Sequence, residues 1–508
     1  DHLGAATDEL RTARRASSDP VWAVMGTAPL VGDDIAAVAA VVASSAGLLE
    51  ALEPVATSAA GGDLVAGGAP ALTALLKDPA TGAGLVLAHE RAVGASGLAD
   101  QLAAQSLTPL VAEQVSAFAG QVEQVEPALG AAASASRLLP IVLGTDEPQE
   151  LLVVVQTPAE VRSLGGLAGL VLVVRAEDGV LQVTESYPGS SVPAVDEPFV
   201  VSAELQPSYD LLGERAGRFL PNATMLPDAA QASSLLSSAH LRRGGTEADL
   251  VVLTDLGVLS GLLAVTGPVT TSDGTELTAD TSDDLLQHGV YTSRPDPVVQ
   301  DAFFAETAIA VVDALLAPGT DPVALVRALA VEASRDRLML WSPDATTQAD
   351  VAAAGLDGDL LADPDAVGLF LNDGTGSKLQ YFLRSEAELL PTGPTGSTVR
   401  LDLTSTVTDP DALPDYVAGG YDRLGLQRGD QRIQVMVHGP VGGGPARWSV
   451  DGEQVPAGSA VVDGRGAGVL SVDVPAGRAV RVEVEVVGEV CTLVTTPSVL
   501  VAAGAAVG

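Results

Sequence analysis

A single cysteine, Cys491, stands in 508 residues, so no disulfide forms within the chain. Aromatic residues are only 3% of the total, which leaves Ala, Val and Leu to fill the interior where rings would otherwise pack. Lysine is nearly missing too, with Lys77 and Lys378 the only two. Basic residues number 26 against 65 acids, a net charge of −39. A field of that sign repels phosphate backbones and anionic lipid, so nucleic acid is excluded as a partner and membrane-surface binding is disfavoured. The five histidines, His2, His89, His240, His288 and His438, lie far apart, with no H-E-x-x-H or C-x-x-C pair. No metal site is therefore expected. No serine sits in G-x-S-x-G, paired carboxylates are too common in so acidic a chain to single any out, and no cofactor motif appears. Nor does any run reach the roughly 20 apolar residues of a membrane span. The best, residues 35–49, is rich in Ala and Ser and reads as a buried helix.

What is present suits several globular cores. Hydrophobic residues make up 47%, and the length predicts more than one domain. Residues 1–140 carry helical spacing almost throughout and read as a helical bundle. Asp33 and Asp34 precede one apolar stretch and favour the helix dipole there. A further helix is expected at residues 71–78, and long ones at 82–93 and 107–139. The chain opens inside a helical pattern, DELRTARRA, which leads to the expectation of an upstream segment that includes a membrane anchor.

The pattern changes at Pro140. LLVVV at 151–155 and LVLVV at 170–174 are short β-branched runs, read as strands buried on both faces. Asp178-Gly179 turns into a hairpin partner. A looser Pro- and Tyr-rich region spans 188–227, followed by helix 229–243, strand 249–255 and the helices DAFFAETAIAVVDALL and DPVALVRALAVEA. Strands alternating with helices make residues 141–365 an α/β domain. From 366 the helices stop. Short strands with turn signals at Asp451-Gly452 and Asp463-Gly464 make residues 366–508 an antiparallel β-sandwich. The fold class expected is thus multidomain α+β.

Three polar segments are candidate sites. Between the two buried runs lies QTPAEVRSLGG, where Gln156, Glu160 and Arg162 could converge on a polar ligand beside a Gly-Gly step. The same residues also fit a structural loop in which Glu160 and Arg162 pair with each other, and the sequence leaves both readings open. Asn222 and Asp228 lie in a segment just before a helix, where Asp228 reads most simply as an N-cap. NDGTGSK, from Asn372 and Asp373 to Lys378, lacks Walker spacing and reads as a β-hairpin turn.

Taken in order, SDPVWAVMGTAPLVGDDIAAV, QTPAEVRSLGG, DLVVLTDLGVLSGLLAVTGPV, SRPDPVVQDAFFAE, RLMLWSPD and VGLFLNDGTGSKLQYFL resemble the actinobacterial domain-of-unknown-function family 4012. That resemblance implies one N-terminal membrane helix with the remainder outside the cell, and no established activity. The middle domain also resembles LytR-CpsA-Psr enzymes, which attach glycopolymers to peptidoglycan from a polyprenyl-pyrophosphate donor with magnesium. On that likeness Arg162 falls where the family binds pyrophosphate, and Arg294 falls near another basic position. The family's Arg-x-Asp-Thr step is here Arg162-Ser163-Leu164-Gly165, and its Pro-Arg-Asp step is Pro188-Gly189-Ser190. The metal carboxylate and one phosphate-binding Arg are thus replaced, and the expectation is the fold without the reaction.

The sequence reading is therefore a membrane-tethered, extracytoplasmic, non-catalytic envelope protein that binds or organises a cell-wall glycopolymer or surface component. A glycopolymer transferase using Arg162, Glu160, Arg294 and Asp255 is one alternative, and a structural surface-assembly protein is another. No cofactor is expected.

Overall fold

The computed structural model describes residues 2–17, 19, 21–22, 32–60, 78–194, 206, 212, 217–315, 317, 319–393, 396–419 and 424–501. The helix expected at 71–78 lies outside them except for Asp78, as does most of the stretch 195–216.

The chain opens with helices α1 (His2–Ser17), α2 (Gly32–Ala60), α3 (Pro79–Ala103) and α4 (Pro109–Val142). Asp78 caps α3 by accepting from the Ala80 amide, with Pro79 in the first turn. Ala88, Ala92, Ala95 and Ala99 form a buried stripe along α3. Ala88 and Ala92 meet Ala51 of α2 and Leu129 of α4, and Ala95 and Ala99 meet Phe118 and Val122 of α4. Small residues at this spacing let helix backbones approach closely, which is how a chain poor in aromatics packs three helices. One sequence expectation is corrected here. Gly32–Ser58 of α2 is long and apolar enough to cross a membrane, and only 17% of its most apolar stretch is buried. Ser interrupts the run, yet Ala counts as apolar beside Val, Leu and Ile, so the mean hydropathy of 2.0 over this length meets the requirement.

The central region is a five-stranded mixed sheet. Its strands are β1 (Gln149–Thr157), β2 (Leu167–Glu177), β3 (Val180–Pro188), β4 (Leu250–Asp255) and β5 (Leu338–Trp341), in the order β3-β2-β1-β4-β5. β1 pairs antiparallel with β2 and parallel with β4. Asp178 and Gly179, at φ 53° and 82°, make the β2–β3 turn, as a two-residue hairpin loop requires. Between the strands run α5 (Ala229–Arg242), α6 (Leu256–Thr266), α7 (Pro297–Leu315) and α8 (Pro322–Ala333). Asp228 caps α5, accepting from the Gln231 amide at 2.8 Å.

One sheet face is densely packed. Leu152, Val154, Val171 and Leu253 meet Leu226 and Leu235 there, together with Phe370 and Met436 from the C-terminal strands. The opposite face departs from the expectation of full burial: Val153 and Val155 are only half-buried, because that face lines a cavity.

From Ala366 onward the chain forms two sheets. In chain order the strands are β6 (Ala366–Asp373), β7 (Leu383–Gly393), β8 (Gly396–Ser405), β9 (Gln431–Val441), β10 (Gly444–Val450), β11 (Glu453–Val455), β12 (Gly458–Val462), β13 (Arg465–Val474), β14 (Ala479–Val487), β15 (Thr492–Thr495) and β16 (Leu500–Val501). One sheet runs β11-β10-β14-β8-β7-β16 and the other β12-β13-β9-β6-β15. Alternating apolar residues of both, among them Leu369, Val435, Leu401 and Val482, share one core. Pairing is antiparallel except for β15 on β6 and β16 on β7.

Candidate functional site

The segment between β1 and β2 is closed by its own side chains. Gln156 Oε1 accepts from the Gly166 amide at 3.1 Å. Gly165 sits at φ 124°, and a Cβ on Gly166 would lie 2.5 Å from the Thr157 carbonyl oxygen. The Gly-Gly step therefore serves close backbone approach within the loop.

Arg162 is 5% exposed and heavily engaged. Its Nη2 donates to Asn222 Oδ1 at 3.0 Å and its Nη1 to the Val161 carbonyl at 2.9 Å. Nη2 also reaches Glu160 Oε2 at 3.5 Å. The other oxygen of Glu160 accepts from Lys378 Nζ. Burial by itself would raise the Glu160 pKa, but the Lys378 ammonium and the Arg162 guanidinium outweigh it and hold the carboxyl below its usual range.

Lys378 arrives on the segment after β6, which corrects the hairpin expected there. β6 and β7 belong to different sheets, so residues 374–382 cross between sheets. The Asp373 side chain takes the Gly376 amide at 2.6 Å and the Thr375 amide at 3.2 Å, bending the loop toward the central domain. The Asp373 amide donates to the Val161 carbonyl at 2.9 Å, and the Gln380 amide donates to the Ala159 carbonyl at 3.3 Å. Asn372 is fully buried and clips the two regions: its Oδ1 takes the Ser163 amide at 3.1 Å and its Nδ2 donates to the Met225 carbonyl at 3.2 Å.

Beside this cluster opens a cavity of about 1480 Å³. It follows β1 from Leu151 to Thr157, a length of roughly 20 Å at about 3.3 Å per strand residue. Leu151, Val153 and Val155 form its floor, α7 contributes Phe304 and Val311, α8 contributes Leu325 and Leu329, and α4 contributes Leu138 and Val142. Its polar end is bordered by Glu160, Arg162, Asn222, Tyr291, Asp301, Asp373 and Lys378. Burial raises the pKa of Asp301, against the pull of Lys378. Burial also raises Asp373, and the nearby Glu160 charge adds to it.

The remaining sequence candidates are placed elsewhere. Asp255 borders the cavity, but it caps α6 through the Gly257 and Val258 amides and faces Arg337 at 3.6 Å. Burial raises its pKa, opposed by Arg337. Arg294 pairs with Asp273 and Thr275, and its guanidinium lies 3.9 Å over the Phe303 ring, away from the cavity lining. Gln156, Asp228 and Asn372 are structural in the roles described. Sequence reasoning missed Tyr291 and Asp301. Asp301 lies in the second turn of α7.

Residues 146–291 match the family model described as protein of unknown function (DUF4012). The matched segment carries Glu160, Arg162, Asn222 and Tyr291 of the polar end, while Asp301, Asp373 and Lys378 lie beyond it. No curated protein and no solved structure matches the chain.

Proposed function

We propose that this chain is a non-catalytic, membrane-tethered extracytoplasmic protein of the cell envelope whose central domain holds an amphiphile. Through that ligand it binds or organises a lipid-linked cell-wall glycopolymer or a comparable surface component. The observation that carries this reading is the cavity itself. It exceeds the ~300–1,000 Å³ of ordinary small-molecule pockets, is apolar along β1, and ends in a compact group of charges. An acyl or prenyl chain suits the apolar length and a polar head suits the charged end, since each part is then desolvated against like chemistry. Holding is favoured over reaction because Arg162 already gives its hydrogen bonds to Asn222, Val161 and Glu160. A guanidinium so engaged is poorly placed to take up charge developing on a departing group.

The strand, Arg-bearing loop and second strand follow the order of LytR-CpsA-Psr domains, which supports a related fold for this region. The paired C-terminal sheets support a β-sandwich. Tethering rests on Gly32–Ser58 of α2.

The test is native mass spectrometry of the full chain after exposure to a total bacterial lipid extract. One lipid should remain bound per chain, and Ala308→Trp or Ala135→Trp, which fill the cavity from α7 and α4, should remove it. A wild-type spectrum without adduct overturns the reading. Release of sugar from a lipid-linked glycan would instead support the transferase.

A further inference from the structure

Resting on the amphiphile reading, the polar end of the cavity also specifies the head it accepts. Both cations there are already met by one carboxylate: Arg162 and Lys378 each contact Glu160. Two further carboxyls border the same space. Asp373 is occupied by amides of its own loop, whereas the side-chain carboxyl of Asp301 takes no hydrogen bond from any described residue. Tyr291 is 2% exposed and lines the cavity, and its hydroxyl has no hydrogen-bond partner among the described residues. That hydroxyl therefore has its hydrogen-bonding capacity free for a ligand in the cavity.

The charges around this space alternate in sign. An incoming phosphate would face Glu160, Asp301 and Asp373, and among the described lining residues no cation is left unpaired to receive it. An incoming ammonium would face Arg162 and Lys378. A hydroxyl meets neither penalty, since it can donate to a carboxylate and accept from a phenol. We propose that the cavity selects an amphiphile with an uncharged, polyhydroxylated head, held by Asp301 as acceptor and Tyr291 as donor, with its tail along β1.

Calorimetric titration of the full chain with three ligands that share one tail tests this: dodecyl maltoside, dodecyl phosphate and dodecylamine, each below its micelle concentration. The maltoside should bind most tightly. Asp301→Ala and Tyr291→Phe should each weaken it by about tenfold, as expected for loss of one buried hydrogen bond to the ligand, and Asp301→Ala should strengthen dodecyl phosphate. Tyr291→Phe keeps the ring and removes only the hydroxyl, so it separates recognition from folding. Tighter binding of the phosphate or the amine overturns the head assignment and leaves the apolar cavity standing. Unchanged maltoside affinity in both variants overturns it as well. Failure of all three ligands to bind overturns the amphiphile reading itself.

Discussion

Glu160→Ala is the substitution whose cost follows most directly from the geometry. Glu160 is 8% exposed and holds two cations, Arg162 on one oxygen and Lys378 on the other. Their fates differ when it is removed. The Lys378 side chain is 18% exposed and can turn toward water. Arg162, with 6% of its side chain exposed, keeps Asn222 and the Val161 carbonyl but loses the carboxylate it pairs with directly. Breaking one member of a buried pair costs about 3–5 kcal/mol, and the adjoining cavity admits water, so the lower figure of about 3 kcal/mol applies. Glu160→Gln retains an acceptor and should cost about half as much. Urea unfolding followed by tryptophan fluorescence reads this, because Trp341 lies on β5 of the same sheet. With a slope of about 2 kcal/mol per molar, the midpoint should fall by roughly 1.5 M for Glu160→Ala. A midpoint within about 0.3 M of the wild type would mean that Arg162 is solvated without Glu160, and the charge argument for this site would fail.

Three further outcomes are expected. His438 is 3% exposed, and burial, then Arg465, lowers its pKa to about 4. The folded ring stays neutral while the unfolded chain takes a proton below its ordinary value near 6.5, so the stabilisation is complete above that value and is lost as pH falls toward 4. This costs about 3 kcal/mol, and thermal midpoints of His438→Leu and wild type at pH 4.5 and 7.5 should diverge accordingly; parallel shifts contradict it. Residues 366–508 alone should give a β-rich circular dichroism spectrum but bind an apolar dye, because Phe370, Met436 and Val469 pack against the central domain; a helical spectrum, or no dye binding, contradicts this. The full chain should sediment with membranes and lose that property when residues 1–77 are deleted, because α2 carries the apolar span; unchanged sedimentation places the tether elsewhere.

Much of the secondary structure was readable because local patterns decide it. The runs at 151–155 and 170–174 are strands, the Asp-Gly pairs at 178, 451 and 463 sit at positive φ in turns, and Asp228 caps its helix. The cavity was not readable, because a half-buried valine facing empty space and a fully packed valine are the same letter at the same spacing. Val153 and Val154 differ only in what stands opposite them. The 372–378 segment has the composition of a hairpin turn, and only the sheet order makes it a crossover that carries Lys378 to Glu160, 218 positions away in sequence. Glu160 and Arg162 do pair, as one of the two open readings had it, and they also border the cavity of the other. Asp301 was hidden by the acidity of the chain, in which one more aspartate carries no signal until its neighbours are known.

On the amphiphile reading, the face of the sheet beneath α7 and α8 holds an apolar chain. Titration of a fluorescent sixteen-carbon fatty probe into the wild-type chain and into Ala308→Trp and Ala135→Trp tests it most directly, with circular dichroism to verify that the variants fold. Saturable one-to-one binding is expected for the wild type, falling at least tenfold in each folded variant, the loss expected when an inserted indole takes the volume of several buried methylenes. Equal binding by all three proteins, or no saturable binding by the wild type, would contradict it.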